Sequence, residues 1–147
     1  MAETHIAAAA DTLDSANIVE KLKLRIIDHC LPLWSTEGCD PWTGGFVERL
    51  GIDGRADHAA PRRVRVQTRQ IYCFAKAAQL GWYPEGREIA QKGLDNLLAK
   101  AKSPDGRPGF VHLLAPDGAV LNPLRDTYDH AFVFLALAAL YQLDSDA

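Results

Sequence analysis

The sequence predicts an all-α protein assembled from a repeated helix-hairpin-helix unit, and three observations carry that expectation. Apolar residues recur at helical spacing in several long stretches, glycine and proline punctuate those stretches, and one ten-residue pattern occurs twice between them. The chain has 147 residues, 48% hydrophobic and 24% charged, which is the composition of a soluble globular protein with enough apolar material for a core.

Residues 1–16 are Ala-rich but interrupted by Glu3, Asp11 and Asp14, and they lack the basic start of a signal peptide. They read as a disordered tail of a cytoplasmic protein, with the folded part running over residues 17–147. The first helix is expected to begin at Asn17, capped by that side chain while Glu20 reaches back three positions later. Ile18, Leu22, Ile26 and Cys30 make its apolar stripe, and Pro32 is expected to kink or tighten its end.

A second helix is expected from Val64, with Val66, Gln70, Ile71, Phe74 and Ala78 on its face and Gly81 as its stop. A third opens after Pro84 and carries Ile89, Gly93, Leu94, Leu97, Leu98 and Ala101 before the turn at Ser103-Pro104-Asp105-Gly106. The fourth, from Arg125 to Leu143, is apolar nearly all round, so it needs partners on several sides.

The pattern Gly45-Phe46-Val47-x-x-Leu50-x-x-Asp53-Gly54 recurs 64 residues later as Gly109-Phe110-Val111-x-x-Leu114-x-x-Asp117-Gly118. Each copy lies between a helix that has ended and one about to start. Alternating apolar residues that lead to Asp-Gly indicate a short β-hairpin or extended turn, so the unit is helix, hairpin connector, helix. Units of this kind bury their faces against neighbours, either as a stacked solenoid or as a closed ring. Two units do not close a ring. The stability expected of this stretch alone is therefore marginal, with self-association through exposed apolar helix faces, above all Ala131 to Leu143.

The net charge of −3 excludes long-range attraction to nucleic acid, and the basic run Arg62, Arg63, Arg65 needs a local explanation: a phosphate reader at Arg65 or a solvated stretch. No apolar run approaches the length of a membrane span. Cys30, Cys39 and Cys73 are an odd number without CxxC spacing, and they read as buried structural thiols in a reducing compartment. His29, His58 and His112 stand at no metal-ligand spacing with a cysteine or carboxylate, so neither a metal nor another cofactor is expected.

The segments Gly44-Gly45-Phe46-Val47-Glu48-Arg49-Leu50 with Asp53-Gly54, Arg65-Val66-Gln67-Thr68-Arg69-Gln70 and Tyr128-Asp129-His130-Ala131-Phe132 resemble the N-acylglucosamine 2-epimerase family of sugar epimerases and isomerases. The resemblance implies an (α/α)6 toroid with sugar bound at one mouth of the ring. It also implies that this chain supplies about two of six repeats, without the family's acid/base histidines. In the family, the arginine of the Gln-x-Arg-Gln pattern contacts the reacting end of the sugar, and that residue here is Arg69. Arg65 shares its helical face and departs from the tryptophan that many epimerases of unmodified sugars carry at this point. Tyr128 and Phe132 are placed at the pocket in the same way.

The activity so implied is C2 epimerisation or aldose-ketose isomerisation of a hexose, N-acylhexosamine or hexose 6-phosphate through an enediolate. The expected partner is a small sugar or sugar phosphate, neither a nucleic acid nor a membrane. His130 lies two residues from Tyr128, about 200° around the helix, and is expected to face away from the pocket in a structural role. Two other readings stand beside the enzyme: a non-catalytic sugar- or partner-binding remnant, and a toroidal glycoside hydrolase fragment using carboxylates such as Glu48 and Asp129.

Overall fold

A computed structural model describes residues 15–145. The elements are α1 (Ser15–Arg25), a π-helical turn (Ile26–Cys30), α2 (Leu31–Thr36), β1 (Arg62–Arg63), α3 (Val64–Gln79), α4 (Gly86–Ala101), β2 (Leu113–Leu114), β3 (Val120–Asn122) and α5 (Thr127–Ser145). The small sheet has the order β1-β2-β3 with both pairs antiparallel; Arg62 faces Leu114 and Leu113 faces Asn122. The reading of residues 1–14 as a tail lies outside the described residues.

The first helix departs from the sequence reading in three ways. Helical geometry is already present at Ser15, so Asn17 sits inside α1 instead of capping it. Pro32 acts by widening the helix: it has no N–H to give to Asp28, and the preceding Leu31 N–H bonds Ile26 one residue further back. The stripe of Ile18, Leu22, Ile26 and Cys30 is exposed, because no described element covers that side. Cys30 and Cys73 are accordingly exposed free thiols, not buried ones; both line a shallow apolar groove with Ile26, Trp34 and Phe74. Cys39 is half-buried, and that burial pushes its thiol up despite the lowering influence of Lys92.

α3 is the centre of the fold and packs against α4 on one side and α5 on the other. It starts where the β1 backbone turns from extended geometry at Arg63, and Gly81 ends its connection at φ 68°, a conformation open to glycine. Its buried face is Val64, Gln67, Thr68, Ile71, Phe74, Ala75 and Ala77; Val66 and Gln70 flank that face half-exposed. Phe46 from the first connector stacks on Phe74 at 5.8 Å and lies across α4 at Gly93, where a Cβ would come within 2.5 Å of the Phe46 ring. Leu97, Val111, Val133, Ala136 and Leu140 complete the core. No helix among the described residues is long and apolar enough to cross a membrane.

The sequence repeat is a structural repeat. In the first connector Gly51 N–H bonds Arg55 O at 2.7 Å and Gly54 N–H bonds Gly51 O at 3.0 Å. In the second, Ala115 N–H bonds Ala119 O at 2.7 Å and Gly118 N–H bonds Ala115 O at 3.0 Å. Asp53 and Asp117 each accept the N–H two residues on. The N–H of the pattern phenylalanine is taken by the following long helix in both cases: Phe46 by Gln67 Oε1 at 2.9 Å, Phe110 by His130 Nε2 at 3.0 Å. The result is a mostly helical chain with short β connectors, as the sequence predicts.

Candidate functional site

α3 carries Arg65 and Arg69 one turn apart, and α5 carries Tyr128 and Phe132 one turn apart. Packing of α3 on α5 turns the two pairs toward each other, so all four residues singled out in the sequence form one cluster. Arg69 Nη2 donates to the Tyr128 hydroxyl at 2.9 Å, and its guanidinium carbon lies 4.2 Å from the centroid of the Phe132 ring. The Arg65 guanidinium carbon is 5.5 Å from the Tyr128 centroid. Tyr128 and Phe132 meet edge to face at 5.0 Å and 77°. Asp126 fixes the start of α5 by accepting the Tyr128 N–H at 2.9 Å.

The cluster is open to solvent on its Tyr128 side, where 51% of the residue is exposed. Arg69 is exposed as well, and among the described residues no carboxylate pairs with it. A guanidinium seated on an aromatic face beside a phenol offers fixed donors and a flat apolar wall, which suits oxygens on a ring-shaped polyol.

Behind this surface lies a buried charged layer that sequence spacing does not reveal. Asp129 has no solvent exposure; its Oδ2 is 2.6 Å from His112 Nδ1 and its Oδ1 is 3.7 Å from Arg65 Nε. Because an ionised carboxylate only accepts, His112 Nδ1 carries the proton of that bond. Asp129 Oδ1 makes no hydrogen bond, which leaves Arg65 as its electrostatic partner. Asp126 Oδ2 stands 3.9 Å from His112 Nδ1. The fold therefore corrects the view that His112 stands apart from carboxylates: ligand-capable atoms of His112, Asp126 and Asp129 lie within 4.8 Å of one another. The guanidinium of Arg65 already occupies the cationic position beside Asp129.

Each arginine of the basic run has a carboxylate beside it. Arg62 pairs with Asp40, both buried, and also donates to Thr43 Oγ1 at 2.9 Å. Burial pushes the Asp40 carboxyl up, but hydrogen bonds from Arg62, the Trp42 N–H and Thr43 outweigh it and hold the group below the usual carboxylate range. Arg63 is held by Glu48, which also accepts the Arg63 N–H. Glu48 is thereby committed to ordering the entry to α3, and Asp129 to Arg65 and His112, so the two carboxylates named for a hydrolase both have structural partners. His130 is tied at both nitrogens: Nδ1 donates to Asp126 O at 2.7 Å while Nε2 accepts from Phe110.

A repeated helix-connector-helix unit of this kind places the chain in the class of α/α toroids, as an incomplete ring. The chain belongs to the N-acylglucosamine 2-epimerase family, whose model matches residues 44–147. It is 40% identical over 121 residues to the mannose-6-phosphate isomerase of Rhizobium meliloti (strain 1021), an alignment covering 79% of this chain and 29% of that protein. Among solved structures it superposes on cellobiose 2-epimerase from Spirochaeta thermophila DSM 6192 with a TM-score of 0.79 and 27% identity, over 88% of this chain and 32% of that one. A D-mannose isomerase structure matches with a TM-score of 0.73 and 27% identity, over 84% and 31% of the respective chains. The chain thus spans about a third of the length of the toroidal proteins it matches.

Proposed function

We propose that this chain forms a sugar-binding edge of a carbohydrate epimerase or isomerase, with Arg69 as the group that meets the reacting end of the sugar. The supporting observation is the pairing of Arg69 with Tyr128 and Phe132, free of any described carboxylate. In the reaction class of the relatives, a base takes the proton from C2 of an open-chain aldose. The electron pair then forms an enediolate, and a proton returns to the opposite face of C2 or to C1. Negative charge grows on the sugar oxygens at the enediolate, and a fixed guanidinium stabilises that charge more than it stabilises the ground state. Tyr128 holds Arg69 and offers its hydroxyl to the sugar, while Phe132 supplies the apolar face.

The cluster itself contains no group suited to taking the C2 proton. Arg69 offers only donors, Phe132 has no ionisable group, and the Tyr128 oxygen already accepts from Arg69, leaving its O–H as a donor to the sugar. The 147-residue chain is therefore expected to bind sugar without turning it over. Loss of acid/base help typically costs about 10² to 10⁴ in rate. Two measurements test this. Mannose should shift the Tyr128 and Arg69 NMR signals of the wild type and leave those of Arg69→Gln at Tyr128 unmoved. Exchange of the C2 hydrogen of mannose for deuterium should stay at the no-protein background. Absence of any sugar-induced shift would end the sugar-site reading, and exchange above background would show a base that this account lacks.

A further inference from the structure

Asp129 is buried directly behind Arg65. Arg65 is only 22% exposed at its side chain and faces Asp129 Oδ1 at 3.7 Å, so its charge is already opposed by a carboxylate with no access to solvent. Asp126 places a second negative charge at the same end of α5, 3.9 Å from His112. The charge of Arg65 is thus met by Asp129, while Arg69, without a carboxylate partner among the described residues, is the donor left for the sugar. The neighbouring cations on β1 bring no surplus, since Arg62 is paired with Asp40 and Arg63 with Glu48. A phosphate dianion recruiting Arg65 competes with Asp129 for the guanidinium, and a buried carboxylate that loses its counter-charge is costly in a protein interior. Sugar hydroxyls make no such demand, because they bond Arg69 and Tyr128 with the Arg65–Asp129 pair intact.

We infer that Asp129 is a specificity-determining residue that makes this cluster a site for an uncharged hexose and disfavours a phosphorylated one. The inference rests on the sugar-site reading of Arg69, Tyr128 and Phe132 given above. Replacing Asp129 with asparagine keeps the shape and the bond to His112 while releasing Arg65, so the site should then accept phosphate.

The test titrates the 147-residue chain with mannose and with mannose 6-phosphate, followed at the Tyr128 ring signals. Wild type should bind mannose several-fold more tightly than mannose 6-phosphate, and inorganic phosphate should fail to displace mannose. In Asp129→Asn the ratio should move toward the phosphate by about tenfold, the effect of one unit charge at close range in a partly solvated site. A merely structural role for Asp129 would weaken both sugars together and leave the ratio alone. The inference is overturned if wild type prefers mannose 6-phosphate, if inorganic phosphate competes with mannose, or if folded Asp129→Asn keeps the wild-type ratio. If Asp129→Asn does not fold, the wild-type ratio and the phosphate competition decide. If neither sugar perturbs Tyr128 or Arg69, the sugar-site reading fails first and this inference falls with it.

Discussion

Removing the Asp40 carboxylate should be among the most destabilising single changes in the described structure. Asp40 and Arg62 form an ion pair with side-chain exposures of 3% and 6%, and Asp40 also accepts the Trp42 N–H at 2.9 Å. Asp40→Ala leaves Arg62 buried with Thr43 Oγ1 as its remaining hydrogen-bond acceptor among the described residues, and strands the Trp42 amide. Breaking a buried pair from one side costs about 3–5 kcal/mol, set against about 5–15 kcal/mol for a whole domain. Urea unfolding followed by far-UV circular dichroism, with Asp40→Ala beside Asp40→Ala/Arg62→Met, measures it. The double variant should recover much of the loss, since it removes the orphaned charge as well. The pH dependence follows from the same pair. The folded-state carboxyl of Asp40 lies below its ordinary value, so its contribution is fully present above the unfolded value near 3.8. It is lost as pH falls through the lower folded value, so Asp40→Ala should flatten the acid limb of the stability curve. A loss below about 1 kcal/mol for Asp40→Ala would place the pair among ordinary surface bridges and refute the reasoning.

Three further outcomes are expected. His130→Gln should be tolerated, because Gln67 performs the same task on Phe46, whereas His130→Leu leaves the Phe110 N–H without a partner and should cost about 1–3 kcal/mol in thermal or urea unfolding. Gly93→Ala puts a methyl 2.5 Å from the Phe46 ring and 3.1 Å from Ile71, so it should lose about 1–3 kcal/mol; an unchanged melting temperature would mean that α4 and the connector move apart freely. Phe134 and Tyr141 are 68% and 75% exposed on α5, and Phe134→Glu with Tyr141→Glu should reduce concentration-dependent association in sedimentation velocity if that face drives self-association of the 147-residue chain.

The helices from Val64 onward were legible because their signals are local. Apolar spacing, Pro84 near a start and Gly81 at a stop are read from a few neighbouring residues, and the repeated Gly-Phe-Val pattern carries its own turn chemistry. The four-residue spacings of Arg65 with Arg69 and Tyr128 with Phe132 fix which residues share a face, and α3–α5 packing then brings the two faces together. What stayed hidden depends on contacts across long stretches of chain. His112 sits inside the second connector, just before β2, and Asp129 sits inside a helix, and nothing in their spacing tells that the fold brings them to 2.6 Å. The one available signal for Asp129 was its charge within an otherwise apolar helix. The first helix failed for the opposite reason: its stripe is a sound amphipathic pattern, but a pattern does not supply the surface that covers it.

The pairing of β1 with β2 sets where this architecture can be divided. Arg62 and Arg63 close the first copy of the repeat, yet their strand partners, Leu114 and Leu113, belong to the second connector, and the Val64 N–H that opens α3 is satisfied by His112 O. A boundary drawn at the sequence period therefore cuts through backbone hydrogen bonds that begin one unit and finish in the next. The copies are tandem in sequence but interlock like links, and neither is expected to unfold while the other stays whole. For anyone shortening, permuting or grafting such units, the workable seam lies inside the repeat instead of at its edge.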